Sequence, residues 1–277
     1  MQDRRTYLES HGVEAAIVEA VAQVLRERPA DPVAAIGRAL VAASRPKSPP
    51  PPTAKTLLLV RHGESMHNIS EVAQYGDQGT DSSLFDAPLS PLGETQVESL
   101  KGHEALAKAE LAICSPLTRA VQTLLGAYPA LESAERGGKP PPVELWPLAA
   151  EHLTDSCDIG SGASEIAARF PWLDVSSLDE VWWYTDEETG REDPHESRAR
   201  YRECGFMEPE LRLFERVDAF VEQVRKRPEQ TIAVFGHSDW HNCLMERHAG
   251  IGDYWLENAE VYTLTLEPKG AAAAELN

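Results

Sequence analysis

The chain has 277 residues, of which 42% are apolar and 26% charged, enough to enclose a core, and its formal net charge is −19. The charge is uneven: residues 1–55 hold 8 Lys/Arg against 6 Asp/Glu (+2), and residues 56–277 hold 18 against 39 (−21). A body this acidic repels nucleic acid and anionic membrane, so any anionic ligand must be held by a local group of basic side chains. Cys114, Cys157, Cys204 and Cys243 are widely spaced without a CxxC pair, which argues against a zinc framework and for reduced thiols. The opening residues lack the apolar core of a signal peptide, and no stretch approaches the ~20 apolar residues of a membrane span. A soluble, cytoplasmic protein is expected.

In chain order, Val13, Ala16, Ile17, Ala20, Val21, Val24 and Leu25 have the spacing of one helical face, and "RPADP" at 28–32 breaks that helix. Val33, Ile36, Leu40 and Val41 mark a second helix. Two short helices cannot enclose a core unaided, so their apolar faces need a partner, most simply a second copy. Four consecutive prolines at 49–52 then form an extended spacer. Beyond it, strand and helix patterns alternate. Buried strands are expected at 56–62, 110–116 and 230–238, a strand within 142–152, and a final strand at 260–267. Helices are expected at 91–108, 117–128 and 209–227 and from Trp240 onward. This alternation predicts an α/β fold: a three-layer α/β/α sandwich on a mostly parallel sheet, with ligands beyond the carboxyl ends of the strands. Residues 160–197 interrupt the rhythm and are expected to lie over the site.

Chemistry-bearing residues follow the strand patterns. Arg61 and His62 come after the first, Ser115 and Arg119 after the second, Glu151 and His152 at the third, and His237 after the fourth. Arginine binds phosphate oxygens in a planar fork, so paired guanidinium groups on one sheet edge predict an anion site. A metal site is not expected: His62 and His67 are five residues apart, and no HExxH occurs. No cofactor is expected.

Two resemblances rest on quoted motifs. Residues 5–43, with Tyr7-Leu8, the apolar helix and "RPADP", resemble the Dpy-30 motif and the docking helices of kinase regulatory subunits. This implies a homodimer through residues 1–45, a groove for an amphipathic helix of an anchoring partner, and attachment to a cytoskeletal or flagellar assembly. "RHGES" with Asn68, "LSPLGETQ" (89–96), "SPLTRAVQT" (115–123), Glu151 and "GHS" (236–238) resemble the histidine phosphatase superfamily. "CDIGS" (157–161) and "RFPWLDVSSLDEVWW" (169–183) are similar to its plant and fungal phosphoglycerate mutase-like branch. The expected organisation is a docking motif at 1–45, a linker at 46–55 and a catalytic domain at 56–277 with a cap insertion at about 153–205.

The second resemblance implies that His62 is the nucleophile and that Arg61, Arg119 and His237 bind the phosphoryl oxygens, with Asn68 and Ser238 at the substrate. It implies that Glu151 is the proton donor, with His152, Asp155 and Asp158 near enough to leave the choice of acid open. His67, His103, His195, His241 and His248 are expected to be structural or superficial. The chain departs from the family pattern at Asp239, beside the expected phosphate pocket. Its cap also mixes acids with Arg198, Arg200 and Arg202 and shows no clear second anion site. The expected activity is hydrolysis of a phosphomonoester, either a small metabolite or a phosphoprotein, through a phosphohistidine. The alternatives are a phosphoglycerate mutase and a catalytically silent scaffold.

Overall fold

A computed structural model describes residues 13–29, 31–44, 54–69, 84–133, 139–186 and 192–268; Tyr7, Leu8 and the prolines at 49–52 lie outside these. The chain divides into two compact units, Met1–Thr53 and Ala54–Asn277.

In the first unit, α1 (Val13–Glu27) packs on α2 (Pro32–Ser44). Arg28 turns the chain with a positive φ of 47°, and Asp31 caps α2 by accepting the Ala34 N–H through Oδ1 at 3.0 Å. The apolar stripe of α1 is split. Ala20 and Val24 are buried, whereas Ile17 and Leu25 are 44% and 69% exposed; Val18, off the stripe, and Val33 of α2 are exposed as well.

The second unit is built on β1 (Lys55–Arg61), β2 (Leu111–Cys114), β3 (Val143–Leu145), β4 (Thr231–Gly236) and β5 (Val261–Leu266). The sheet order is β3-β2-β4-β1-β5, with β5 antiparallel to β1 and the other pairings parallel. Lys55, expected in the linker, already belongs to β1, where its ammonium donates to the carbonyls of Arg227 and Glu229 at 2.7 Å.

Strand residues alternate between two cores. Leu58, Val60, Ala112, Cys114, Ala233 and Phe235 face α3 (Pro91–Glu98), α4 (Thr118–Ala127) and the 160–206 region. Leu57, Leu59, Ile113, Ile232 and Val234 face α7 (Glu210–Lys226) and α8 (Ser238–Ala249). Burying one such Leu, Ile or Val contributes about 1.5–3 kcal/mol, so this double facing explains the unbroken apolar runs. The expected helix at 91–108 is corrected. It ends at Glu98, the chain turns through Gly102 at φ +74°, and only a 3-10 turn follows at Leu106–Lys108. The cap carries α5 (Ala163–Arg169) and α6 (Pro194–Cys204). Among the described residues no helix is long and apolar enough to cross a membrane.

Candidate active site

The parallel register brings the expected residues to one edge. Arg61 pairs with Gly236, the His62 N–H donates to the Gly236 carbonyl at 3.0 Å, and the Ser115 N–H donates to Phe235 at 2.9 Å. The residues that leave β1, β2 and β4 are therefore adjacent. The His62 and His237 ring centroids lie 5.2 Å apart, and the His237 Nε2 contacts the Ser115 hydroxyl at 2.8 Å.

The loop carrying His62 is held from both sides. The Gly63 N–H donates to Thr123 Oγ1 at 3.1 Å, and the Glu64 N–H donates to Gln96 Oε1 at 2.8 Å. Ser90 caps α3 and donates through its hydroxyl to Glu64 Oε1 at 2.6 Å. Gly93 lies so close that an added Cβ would stand 2.0 Å from the Glu64 carbonyl oxygen. "LSPLGETQ" is thus the buttress of the histidine loop.

His62 is buried, and its Nδ1 lies 2.6 Å from the Gly63 carbonyl oxygen. A carbonyl only accepts, so Nδ1 carries the proton and Nε2 keeps its lone pair. Burial, then the nearby Arg119 charge, hold the imidazole well below its usual pKa, so it is neutral at pH 7. His237 is held neutral by the same two influences.

Arg119 stands in the first turn of α4. The Asp86 carboxylate caps that turn, accepting the Thr118 N–H at 2.7 Å and the Thr118 hydroxyl at 2.6 Å. The Arg119 guanidinium donates through Nε to His62 Nε2 at 3.3 Å, and through its terminal nitrogens to the Cys157 carbonyl and Asp158 Oδ1, each at 2.8 Å. Of its five N–H groups two remain for a ligand. Arg61 donates to the Leu256 carbonyl at 2.6 Å, and its Nε is without a hydrogen-bond partner among the described residues.

Glu151 sits across the head of α8. Its Oε1 accepts the N–H groups of His152 at 2.9 Å and Trp240 at 3.0 Å, and its Oε2 faces the Asp239 N–H at 3.4 Å. These donors favour the carboxylate. Burial, then the charges of Asp239 and Asp158, outweigh them and push the group up to about 8. Asp239 belongs to this cluster. Its own carboxyl is raised by burial and Asp158, while His152 and Arg61 pull it down.

The neighbouring acids hold other posts. Asp158 is bound to Arg119, and its second oxygen accepts the N–H groups of Thr154 and Asp155 at 3.3 and 3.2 Å. Asp155 caps the turn Ser156–Asp158. His152 contacts the Glu208 carbonyl through Nε2. Arg61, His62, Arg119, Glu151 and His237 are thus brought to one edge. Asn68 is exposed and closes its own turn, with Oδ1 accepting from the Ser65 N–H and hydroxyl at 2.9 and 3.0 Å. Ser238 is the half-buried first residue of α8. Sequence reasoning missed Asp86, Thr123 and the Asp158–Arg119 pair. Thr123 was findable, being one turn beyond Arg119; the two aspartates reach their partners across loops and leave no pattern.

A buried neutral imidazole whose Nε2 accepts from Arg119, with a second arginine and a neutral glutamate near the ends of a parallel sheet, is an arrangement that could serve phosphoryl transfer. The family model of the histidine phosphatase superfamily (branch 1) matches residues 57–277, and the chain belongs to that superfamily. It is 29% identical over 219 residues to a "Phosphoglycerate mutase-like protein" of Arabidopsis thaliana, covering 69% of this chain and 73% of the relative. It is 31% identical over 157 residues to "Phosphoglycerate mutase-like protein 1" of the same plant, covering 46% and 55%. Among solved structures it is similar to the phosphoglycerate mutase of Bacillus anthracis, with 16% identity, a TM-score of 0.47 and coverage of 78% and 89%.

Proposed function

We propose that the protein is a phosphatase that hydrolyses a small phosphomonoester through a phosphohistidine. The observation that carries this is the His62 tautomer. The Gly63 carbonyl holds the proton on Nδ1 and leaves the Nε2 lone pair beside Arg119. In the first step Nε2 attacks phosphorus, the P–O bond to the leaving alcohol breaks, and that oxygen takes the Glu151 proton. Phosphoryl-His62 and the alcohol result. The Nδ1–H bond to Gly63 stabilises the charge that develops on the ring, and Arg61, Arg119 and His237 stabilise the phosphoryl oxygens. In the second step the Glu151 carboxylate takes a proton from water, the water oxygen attacks phosphorus, and the P–N bond breaks. This releases inorganic phosphate and restores neutral His62 and protonated Glu151.

Hydrolysis is favoured over mutase chemistry because the cap arginines are already committed. Arg198 binds Glu165 and the Gly160 carbonyl, Arg200 binds Asp186, and Arg202 stacks on Phe85 at 4.9 Å. Among these cap arginines, a second acidic group on the substrate finds two already paired with acids and no pair of free guanidinium groups. The N-terminal hairpin serves as the dimerising and docking part, a role supported by the exposed Val18, Leu25 and Val33. Enzyme is mixed with a generic aryl phosphate and quenched in alkali, and the acid-labile phosphoenzyme is counted. Wild type is expected to turn over and to trap phosphate, and His62→Ala to do neither. Rapid formation of 2-phosphoglycerate from 3-phosphoglycerate and 2,3-bisphosphoglycerate would instead establish a mutase.

A further inference from the structure

Arg119, which donates to the His62 lone pair, begins a helix that has no cap of its own. The residue before α4 is Leu117, whose side chain offers the first turn no acceptor. The acceptor comes from Asp86, 32 residues before Thr118. Its Oδ1 accepts the Thr118 N–H at 2.7 Å, and its Oδ2 accepts the Thr118 hydroxyl at 2.6 Å. Arg169 of the cap donates to the same Oδ2 at 3.3 Å and to the Thr118 hydroxyl oxygen. A guanidinium only donates, so the hydroxyl spends its one hydrogen on Asp86. Asp86 and Thr118 are both buried, where such bonds are strengthened by the low dielectric.

Asp86 also holds the far end of Arg119. Its N–H donates to the Ile159 carbonyl at 2.9 Å. Ile159 follows Cys157 and Asp158, the two residues that accept from the terminal nitrogens of Arg119. The path closes on itself. It runs from the Asp86 carboxylate through Thr118 to Arg119, from the guanidinium to Cys157 and Asp158, and from the Ile159 carbonyl back to the Asp86 N–H. One residue thus fixes both the backbone from which Arg119 springs and the segment that aims its guanidinium. Asp86 does this at a φ of 47°, in the left-handed region. Glycine would adopt that conformation more freely but would leave Thr118 without its acceptor.

We propose that Asp86 is a positioning residue for Arg119, holding the guanidinium where it meets both His62 Nε2 and an incoming phosphoryl group. The proposal rests on the phosphohistidine reading above. Arg119 reaches Nε2 at 3.3 Å and keeps two N–H groups for a ligand, so a small drift of the first turn of α4 disturbs both contacts. Its test is a double-mutant cycle on p-nitrophenyl phosphate, with Asp86→Ala made in wild type and in Arg119→Ala, and with His62→Ala as the blank. Asp86→Ala is expected to lower kcat/KM about tenfold or more in wild type and by less than about twofold in Arg119→Ala, where the group it positions is gone. Asp86→Asn keeps an oxygen for the Thr118 N–H and tolerates the left-handed φ, so it is expected to recover part of the loss. If Asp86→Ala does not fold, Asp86→Asn takes its place in the cycle, with a severalfold loss expected in wild type and none in Arg119→Ala. The cycle is read in parallel on the dissociation constant of inorganic phosphate by phosphorus NMR titration, which needs no turnover. An equal loss in both backgrounds, as general damage to the fold would give, overturns the proposal. So does a wild-type background in which neither kcat/KM nor phosphate affinity changes. Both results leave the phosphohistidine reading standing while wild type outpaces His62→Ala. A wild type no faster than that blank overturns the phosphohistidine reading and this proposal with it.

Discussion

Glu151 is held between opposing influences. Backbone N–H groups from His152 and the head of α8 favour its charged form, and burial with two neighbouring acids favours its neutral form. With the balance at about 8, the residue enters the reaction with its proton on. An alkyl phosphate has a poor leaving group that needs that proton; an aryl phosphate needs it far less. Glu151→Gln is therefore expected to slow the phosphorylation step on alkyl phosphates by about 10²–10⁴-fold and on aryl phosphates much less, while the water step, common to both, is slowed as well, so that an aryl phosphate gives a burst and accumulates phosphoenzyme in rapid-quench kinetics. Stability carries the same signature. The fold raises this carboxyl from 4.5 to about 8, so its stabilising contribution is complete below pH 4.5 and is lost as pH rises through about 8. Thermal melts between pH 4 and 9 are expected to show wild type declining across that window and Glu151→Gln declining less. Asp158 and Arg119 are both nearly inaccessible, so removing one strands the other. Asp158→Ala is expected to cost about 3–5 kcal/mol in urea unfolding, with Asp158→Asn recovering part of the loss.

Among the elements, α3 supports the histidine loop without supplying a reacting group. Gly93 lets its backbone approach Glu64, and a methyl group there would overlap the Glu64 carbonyl. Gly93→Ala is expected to destabilise the fold by about 1–3 kcal/mol and to lower kcat by displacing His62, measurable by denaturant titration and aryl phosphate turnover. The strands β1, β2 and β4 were legible because each is buried on both faces and reads as an unbroken apolar run. Their carboxyl ends, and with them Arg61, His62, Ser115 and His237, followed directly. What lay between strands was less readable. The end of α3 at Glu98 depends on a left-handed glycine three residues past its C-cap Ser99, and the antiparallel direction of β5 has no local mark. Asp86 and Asp158 act through pairings 32 and 39 residues distant, where periodicity says nothing.

For the whole molecule, the acidity noted at the outset means that the proposed phosphate site depends on its own buried and half-buried arginines. Each guanidinium at the edge is oriented by backbone carbonyls or a buried acid, so the site keeps its charge within a repelling body. The N-terminal hairpin exposes apolar side chains at Val18, Leu25 and Val33 within a much smaller unit than the one that exposes Leu92, Leu211 and Trp255. Light scattering on the full chain and on a variant lacking residues 1–45 is expected to give a dimer and a monomer; equal subunit numbers would remove the hairpin from assembly. Its helices were legible from spacing, and the inward turn of Ala20 and Val24 with the outward turn of Leu25 was not, because all three lie on one apolar stripe.

The four thiols have a practical use. Cys114, Cys157 and Cys243 are buried, and burial raises the pKa of each; Cys204, at the end of α6 in the cap, is exposed. A maleimide dye added to native protein should therefore attach at a single place, at the end of α6. The same reagent in denaturant should find all four. The protein thus comes with its own count of folded molecules and a ready position for a fluorophore that watches the cap.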